Sequence, residues 1–536
     1  MKLTHFDLSR KTIKKYRLAS LIAGFFLFAQ IGNIALAVPV IPIYAEYCAN
    51  CHGIDRLGKT GSALLPENLS RLRRTKANLV IKQGAPATQM PAFGDKLSDQ
   101  QIQALVDYIY TPLPNIPKMG IAEIKATHII HHSNDSLSNK PVYKADPLNL
   151  FLVVESGDHH ITVLDGDRLE PIYRFPTRFA LHGGPKYSSD GRFVYLASRD
   201  GWVSKFDMYN LKMVAEIRAG INTRNLAVSG DNRYVMVANY LPHTLVVLDA
   251  HDLSPLKVIE VHNDMGQTSR VSAVYTAPPR HSFIAALKDI KEVWEIPYNS
   301  KAIALPIYLG PIHDYRPDSG EKSLIDQRTF PIRRIKLDDF LDDFFFDKDY
   351  HLLIGAARDG IKGQIVNLIV GRKIAEVDLP GMPHLGSGIT WDREGKPVLA
   401  TPNLKEGVVS VIDMQTWKTI KRIETLGPGF FMRSHENTPY AWVDVFFGPN
   451  KEAVHVIDKR SLEIVKTLRP APGKIAAHVE FDRDGRYALL SVWDMDGALI
   501  VYDAETLTEV KRLPMRKPSG KYNVYNKIYR STGTSH

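Results

Sequence analysis

Only two cysteines occur in 536 residues, and both sit in one motif, Cys48 and Cys51 of "CANCH". That scarcity excludes a disulfide framework even for an exported chain. It also leaves a zinc site short of two ligands of suitable type and spacing. Long apolar runs are missing too. The one stretch of that kind, "LASLIAGFFLFAQI", is short for a membrane span. It follows Lys11, Lys14, Lys15 and Arg17 and precedes "ALA" (Ala35–Ala37), so residues 1–37 read as an export signal cleaved before Val38. Half of the formal net charge of +10 lies in that segment, where six basic residues oppose Asp7. No basic run remains that could track nucleic acid. The residual positive excess suits small anionic molecules.

What is present is a soluble globular composition, 44% hydrophobic and 24% charged, in a chain too long for one ordinary domain. C-x-x-C-H is the attachment signature of a c-type haem: each thiol bonds a vinyl group, and His52 reaches the iron as proximal ligand. A redox-active C-x-x-C would want a thioredoxin-like βαβ pattern, which does not surround the motif. Methionine opposite histidine suits an electron-transfer haem, and Met90 in "ATQMPAFG" stands 38 residues after His52 in a proline-bracketed loop. Met119, His128, His131 and His132 are the outside candidates. Farther on, "LSDQQIQALVDYIYTPL" opens with a Ser98…Gln101 capping box and carries Ile102, Leu105, Val106 and Ile109 on one face. It predicts a closing helix ended by Pro112 and Pro114. Residues 38–113 therefore resemble a small, all-α class I cytochrome c.

After a linker rich in Pro, Asn and Ser (114–145), short β runs recur, as in "GRFVYLASRDGWVSKFDMYNLKMVAEI" and "GRYALLSVWDMDGALIVYDAETLTEVKRL". Comparable starts fall near Phe151, Phe193, Tyr234, Phe283, His351, Pro397, Tyr440 and Tyr487, at steps of 42, 41, 49, 68, 46, 43 and 47 residues. A period in the forties with four-stranded units predicts a β-propeller, because one blade cannot bury its own faces. Residues 146–536 thus form an all-β domain of eight blades, with an insertion around 301–332. The tail "GKYNVYN" offers a strand to close the ring. Functional side chains belong on loops around the channel. His384 in "GMPHLGSG" is one such residue: a metal ligand, a base, or a histidine bonded to its own turn.

A c-type cytochrome joined to an eight-bladed propeller resembles the cytochrome cd1 family, over nearly the whole chain after residue 37. The resemblance implies a second, non-covalent macrocycle, haem d1 or dihydro-haem d1, in the propeller. "FALHGG" looks like the loop of its proximal ligand, which makes His182 that ligand. Arg199 in "SRDGW", Arg224 in "NTRNL" and Tyr240 in "ANYLP" match positions that contact d1, where guanidinium forks suit its carboxylates. His384 matches the second of two distal histidines used by the nitrite-reducing branch. The first matches Asp342 in "DDFLDDFFFD", and a carboxylate would repel nitrite and lies far from a histidine's proton-donor range.

"LHGGP", "AGINTRN", "ANYLPH", "GMPHLGSG" and "AAHVEF" with His478 resemble more closely the periplasmic branch that finishes d1 biosynthesis. That resemblance implies a dehydrogenase: a propionate of bound dihydro-haem d1 becomes an acrylate. Two protons then leave to imidazoles such as His384 and His478, and two electrons leave through haem c. It further implies a soluble electron acceptor and a cytochrome cd1 nitrite reductase as recipient of the product. Nitrite reduction and non-catalytic d1 carriage are the competing readings. His159, His160 and His435 read as surface or structural residues.

Overall fold

The computed structural model describes residues 38–59, 61–70, 72–85, 90–299, 330–356, 362–379 and 381–530. The export segment 1–37 and nearly all of the insertion at 301–332 lie outside them. Helices α1 (Val40–Tyr47), α2 (Ala49–His52), α3 (Arg74–Gln83) and α4 (Asp99–Ile109) make up the N-terminal unit. Ser98 and Gln101 form the capping box at the start of α4, each side chain bonding the other's backbone N–H. Ile102, Leu105, Val106 and Ile109 are buried, against Tyr44, Leu69, Ala77 and Phe93 among others. Each such side chain contributes about 1.5–3 kcal/mol on leaving water, which fixes α4 across the start of the cytochrome unit.

Eight antiparallel sheets follow, seven of four strands and one of five. The innermost strands of neighbouring sheets touch around a common axis, as Asn222–Val228 does with Val271–Ala277. This is an eight-bladed propeller. The eight repeat starts read from the sequence fall on or next to the second strand of each blade, from Leu150–Glu155 to Tyr487–Val492. Middle strands are buried on both faces and read as apolar runs, whereas outer strands such as Arg372–Asp378 alternate exposed positions with half-buried or buried ones. The recurring Asp after the third strand has a local cause. The carboxylates of Asp165, Asp207, Asp413, Asp458 and Asp503 accept the N–H groups two and three residues on, closing the turn to the outer strand.

Blade 1 is assembled from both ends of the domain. Strand Pro518–Asn523, which includes most of the "GKYNVYN" tail, pairs with Leu150–Glu155 as its innermost strand. Helix α6, the Val524–Tyr529 segment that follows, packs against this blade and the next.

The segment read as a linker is more ordered than its composition suggests. It carries the short helix α5 (Ile121–Lys125), with Ile124 fully buried, and Ile129–Ile130 adds a fifth, outer strand to blade 2. Its apolar residues answer exposed strand edge rather than a core of their own. The two units also touch directly. Arg218, at the end of blade 2, donates to the carbonyls of Leu57 and Gly58 at 2.5 and 3.2 Å, and Asn68 Nδ2 donates to Ile221 O at 3.1 Å. Ala63, Leu65, Ile221 and Leu241 form an apolar seam beside them. Among the described residues no helix is long and apolar enough to cross a membrane.

Candidate functional site

The first site is built around α2. Cys48 is buried and Cys51 exposed, both as free thiols, and burial pushes the Cys48 thiol up to about 11. The His52 Nδ1 lies 2.7 Å from the carbonyl of Ser62. Only a protonated nitrogen can donate to a carbonyl, so Nδ1 carries the hydrogen and Nε2 keeps its lone pair for iron. Burial holds this imidazole below its ordinary pKa and therefore neutral. A Cβ on Gly61 would stand 2.8 Å from the ring, so only glycine lets that strand of loop lie on the histidine. The thiols and the aimed imidazole fit a covalent c-type haem.

Met90 packs, partly buried, against the same core, and its carbonyl takes the Ala85 N–H at 3.1 Å. Residues 86–89 of its loop lie outside the described set. The other ligand candidates are engaged elsewhere: His128 Nε2 with Asp252 O at 2.7 Å, His131 Nε2 with Glu216 at 3.1 Å, His132 Nδ1 with Met213 O at 2.8 Å. Met119 packs against the apolar seam between the units.

The second site surrounds the propeller axis at the end where outer strands lead to the next blade's inner strand. His182 lies on such a connection, followed by Gly183 and Gly184, both at positive φ (82° and 69°). A Cβ on Gly183 would fall 2.5 Å from the Cβ of Asn225. The glycine pair is what lets His182 approach blade 3. His182 Nδ1 donates to Arg224 O at 2.6 Å, leaving Nε2 as the acceptor, 2.8 Å from Arg224 Nη1. Arg224 Nε reaches Ser272 O at 2.9 Å. Burial opposes the Arg224 charge, but Tyr240, Asp343, Tyr275 and Asp342 together more than offset it. Arg199 stands beside the His182 loop, its N–H on Ala180 O at 3.1 Å. Tyr240 has Arg270 and Lys288 over its ring, at 5.6 and 5.9 Å.

Across the axis the carboxylate that faces His384 is Asp343, not the Asp342 picked out in sequence. Asp342 is paired with Lys288. Asp342 lies in the bend just before strand Asp343–Phe346, and its side chain departs toward blade 4 while that of Asp343 enters the site. Asp343 Oδ2 accepts Gly386 N–H at 2.7 Å and lies 4.0 Å from His384 Nε2, while Oδ1 accepts the Tyr275 hydroxyl at 3.2 Å. His384 Nδ1 donates to Phe430 O at 2.5 Å. Burial lowers its pKa, against Asp343 and that carbonyl, which raise it.

His478 is fully enclosed in the innermost strand of blade 8. It has φ 55°, at a bulge between Ala477 and Val479, a left-handed conformation of the kind that persists where the surroundings over-determine it. Its Nδ1 has no hydrogen-bond partner among the described residues. Burial, then Lys521, Arg433 and Lys527, push its pKa far down, so the imidazole is neutral. The Phe431 ring stands between the two histidines, 6.1 Å from His384 and 4.6 Å from His478. Tyr522 lies 5.2 Å from His478 and packs on Gly184, returning to the His182 loop. Contacts, and between Arg224 and Asp343 the attraction of opposite charges, thus close a circle through His182, Arg224, Asp343, His384, Phe431, His478 and Tyr522.

Sequence reasoning missed Asp343, Tyr275, Phe430, Phe431, Asp444 and Tyr522. Asp444 accepts the N–H groups of Phe430, Phe431 and His478 at 2.7, 3.1 and 3.2 Å, tying the His478 strand to the turn whose Phe430 carbonyl holds His384. Its signal was only an Asp closing a second strand in "AWVDVFF". His435 is structural: it is buried and bonds Arg483 O through Nε2 at 3.1 Å.

A family model described as cytochrome D1 heme domain matches residues 145–314 and 317–527. The chain belongs to the cytochrome d1 heme domain family. A second model, cytochrome C oxidase cbb3-type subunit III, matches residues 42–109. Among curated relatives, "Dihydro-heme d1 dehydrogenase" of Pseudomonas aeruginosa is 55% identical, covering 97% of this chain and 100% of that protein. "Nitrite reductase" of Stutzerimonas stutzeri is 26% identical, over 95% and 98%. A solved structure, "Dihydro-heme d1 dehydrogenase NirN in complex with DHE", superposes with a TM-score of 0.85 at 55% identity, covering 91% of this chain and all of that one.

Proposed function

We propose that this chain is a dihydro-haem d1 dehydrogenase that converts a propionate of its tetrapyrrole substrate to an acrylate. The observation that carries the reading is the closed circle of side chains, in which an imidazole with an aimed Nε2, His182, shares one channel mouth with two neutral imidazoles. His182 would ligate the substrate iron. Arg224 Nη1, which otherwise covers Nε2, would then be released toward an anionic side chain, with Arg199 and Tyr240 beside it. Oxidising the saturated C–C bond removes two protons and two electrons. His384 and His478 are neutral near pH 7 and can accept the protons. Phe430, Phe431 and Tyr522 cover them and keep bulk water from the reacting carbons.

A c-type haem, which Cys48, Cys51 and His52 would hold with Met90 as the candidate further ligand, would supply one-electron acceptance. His52 holds its place through Ser62, and Arg218 holds the following loop against the propeller. The Asp343 carboxylate opposite His384 disfavours the nitrite-reducing alternative, because it would repel that anion. Export to the periplasm, a soluble electron acceptor and delivery of the product to a cytochrome cd1 nitrite reductase complete the reading. Its test is anaerobic incubation of the c-haem-loaded protein with dihydro-haem d1 and an electron acceptor. The red-shifted bands of the acrylate product are expected together with reduction of haem c, and their absence would refute the proposal.

A further inference from the structure

Between the circle of site residues and helix α6 the channel is lined with positive charge that the functional reading leaves unused. α6 lies at the far end, where Val524 and Ile528 press on the turn at Gly191 and Arg530 reaches Thr276 O at 3.4 Å. Lys186, Arg433 and Lys521 come from inner strands of blades 2, 7 and 1, Lys527 from α6 and Arg530 from the residue that ends it. Lys521 bonds His478 O and, at 2.7 Å, Ser491 Oγ. Arg530 lies over the Tyr350 ring at 4.7 Å.

Lys186 and Arg433 are different. Among the described residues neither has a carboxylate within 4.0 Å, and the Lys186 ammonium, with no hydrogen bond there, stands over the Tyr275 ring at 5.5 Å. Arg433 spends one Nη1 on Met432 O at 2.7 Å, and its buried Nε has no partner. Three carboxylates lie near the cluster, Asp343 toward Lys186, Asp444 toward Arg433 and Lys521, and Glu480 among them, fully buried with Oε2 unpartnered, so five cationic groups outnumber the anions. Cations withdrawn from water are stable when anions answer them; burial and the neighbouring Arg530 and Arg433 lower Lys186 to about 8, against Asp343.

We propose that Lys186 and Arg433 form a carboxylate-binding subsite inside the channel, separate from Arg199 and Arg224 at its rim. The proposal rests on the functional reading for its occupant, a carboxylate borne by the tetrapyrrole substrate. Lys186 follows His182 by four residues, so a macrocycle ligated at His182 has this ammonium on the next stretch of chain. Arg433 is also one of the charges that keep His478 neutral. One cationic group thus holds the side-chain carboxylate and preserves the base beside it. A small anion from solution would satisfy the same chemistry.

The test uses c-haem-loaded, d1-free full-length protein and its K186Q and R433Q variants, with folding checked by thermal melting. Each is titrated with dihydro-haem d1 and with its methyl ester. A charge-assisted bond predicts about a tenfold or greater loss of affinity for the free acid in each variant, and wild type and variants binding the ester alike. Crystals soaked in bromide form the second arm: anomalous density between Lys186 and Arg433, with variant affinities unchanged, supports an anion site served from solution. Equal acid binding in all three proteins with no bromide density overturns the subsite. If wild-type protein fails to bind either macrocycle, the functional reading falls and the bromide arm alone decides the subsite.

Discussion

Arg218→Ala tests how the cytochrome unit is held to the propeller. The guanidinium donates to three carbonyls: Leu57 and Gly58 across the boundary at 2.5 and 3.2 Å, and Asp200 within blade 2 at 2.9 Å. Charge-assisted hydrogen bonds contribute about 1.5–3 kcal/mol each. The two that cross the boundary would give about 3–6, reduced to roughly 2–4 kcal/mol because the freed carbonyls can be rehydrated at this partly open position. The Asn68–Ile221 bond and the apolar seam remain, so the units stay docked but loosely. Because Gly58 N–H bonds the carbonyl of His52, loosening this loop also loosens the haem-bearing turn. Anaerobic stopped-flow mixing of the c-haem-loaded variant with dihydro-haem d1 should show reduction of haem c slowed about tenfold or more, with macrocycle affinity little changed. Calorimetry should show the cytochrome unit melting before the propeller. Arg218→Lys, which cannot span three carbonyls, should fall in between. Haem c reduction and melting indistinguishable from wild type would refute the reasoning.

His182→Ala should abolish uptake of the tetrapyrrole while leaving the bands of haem c intact, read by absorption titration. His478→Asn and His384→Asn should each lower the rate of acrylate formation by about 10²–10⁴-fold with binding retained; single-turnover kinetics would show it. Gly183→Ala meets both the left-handed φ of 82° and a contact of 2.5 Å to Asn225. It should destabilise the loop by about 2–4 kcal/mol and weaken macrocycle binding more than it lowers the melting temperature. Burial raises the Asp444 pKa from 3.8 to about 6, against the N–H groups of Phe430, Phe431 and His478. A carboxyl raised in the folded state binds its proton more tightly there than when unfolded, so stability falls as pH rises from about 4 to 6 and levels off above. Asp444→Asn should remove that slope in denaturant titrations across the window.

Local signals made the architecture readable in advance. The haem attachment motif is five consecutive residues, and the propeller repeat rests on Asp turns and apolar second strands whose partners lie within the same blade. The α4 capping box is equally local. The second site is different in kind. Asp342 and Asp343 are neighbours in sequence, and only the register of strand Asp343–Phe346 decides which one meets His384. The linker composition concealed α5 and an added strand because both are stabilised by blades 2 and 3, not by each other.

By itself the sequence determined the units, their order, the C-x-x-C-H motif and the loops on which His182 and His384 lie, since each depends on residues close together in the chain. The tertiary structure alone decided that blade 1 borrows its inner strand from the C-terminal tail. It alone brought residues from seven blades into one circle and placed Lys186 and Arg433 within each other's electrostatic reach. Those results come from closing a ring of sheets, which makes neighbours of side chains hundreds of residues apart and removes them from water together.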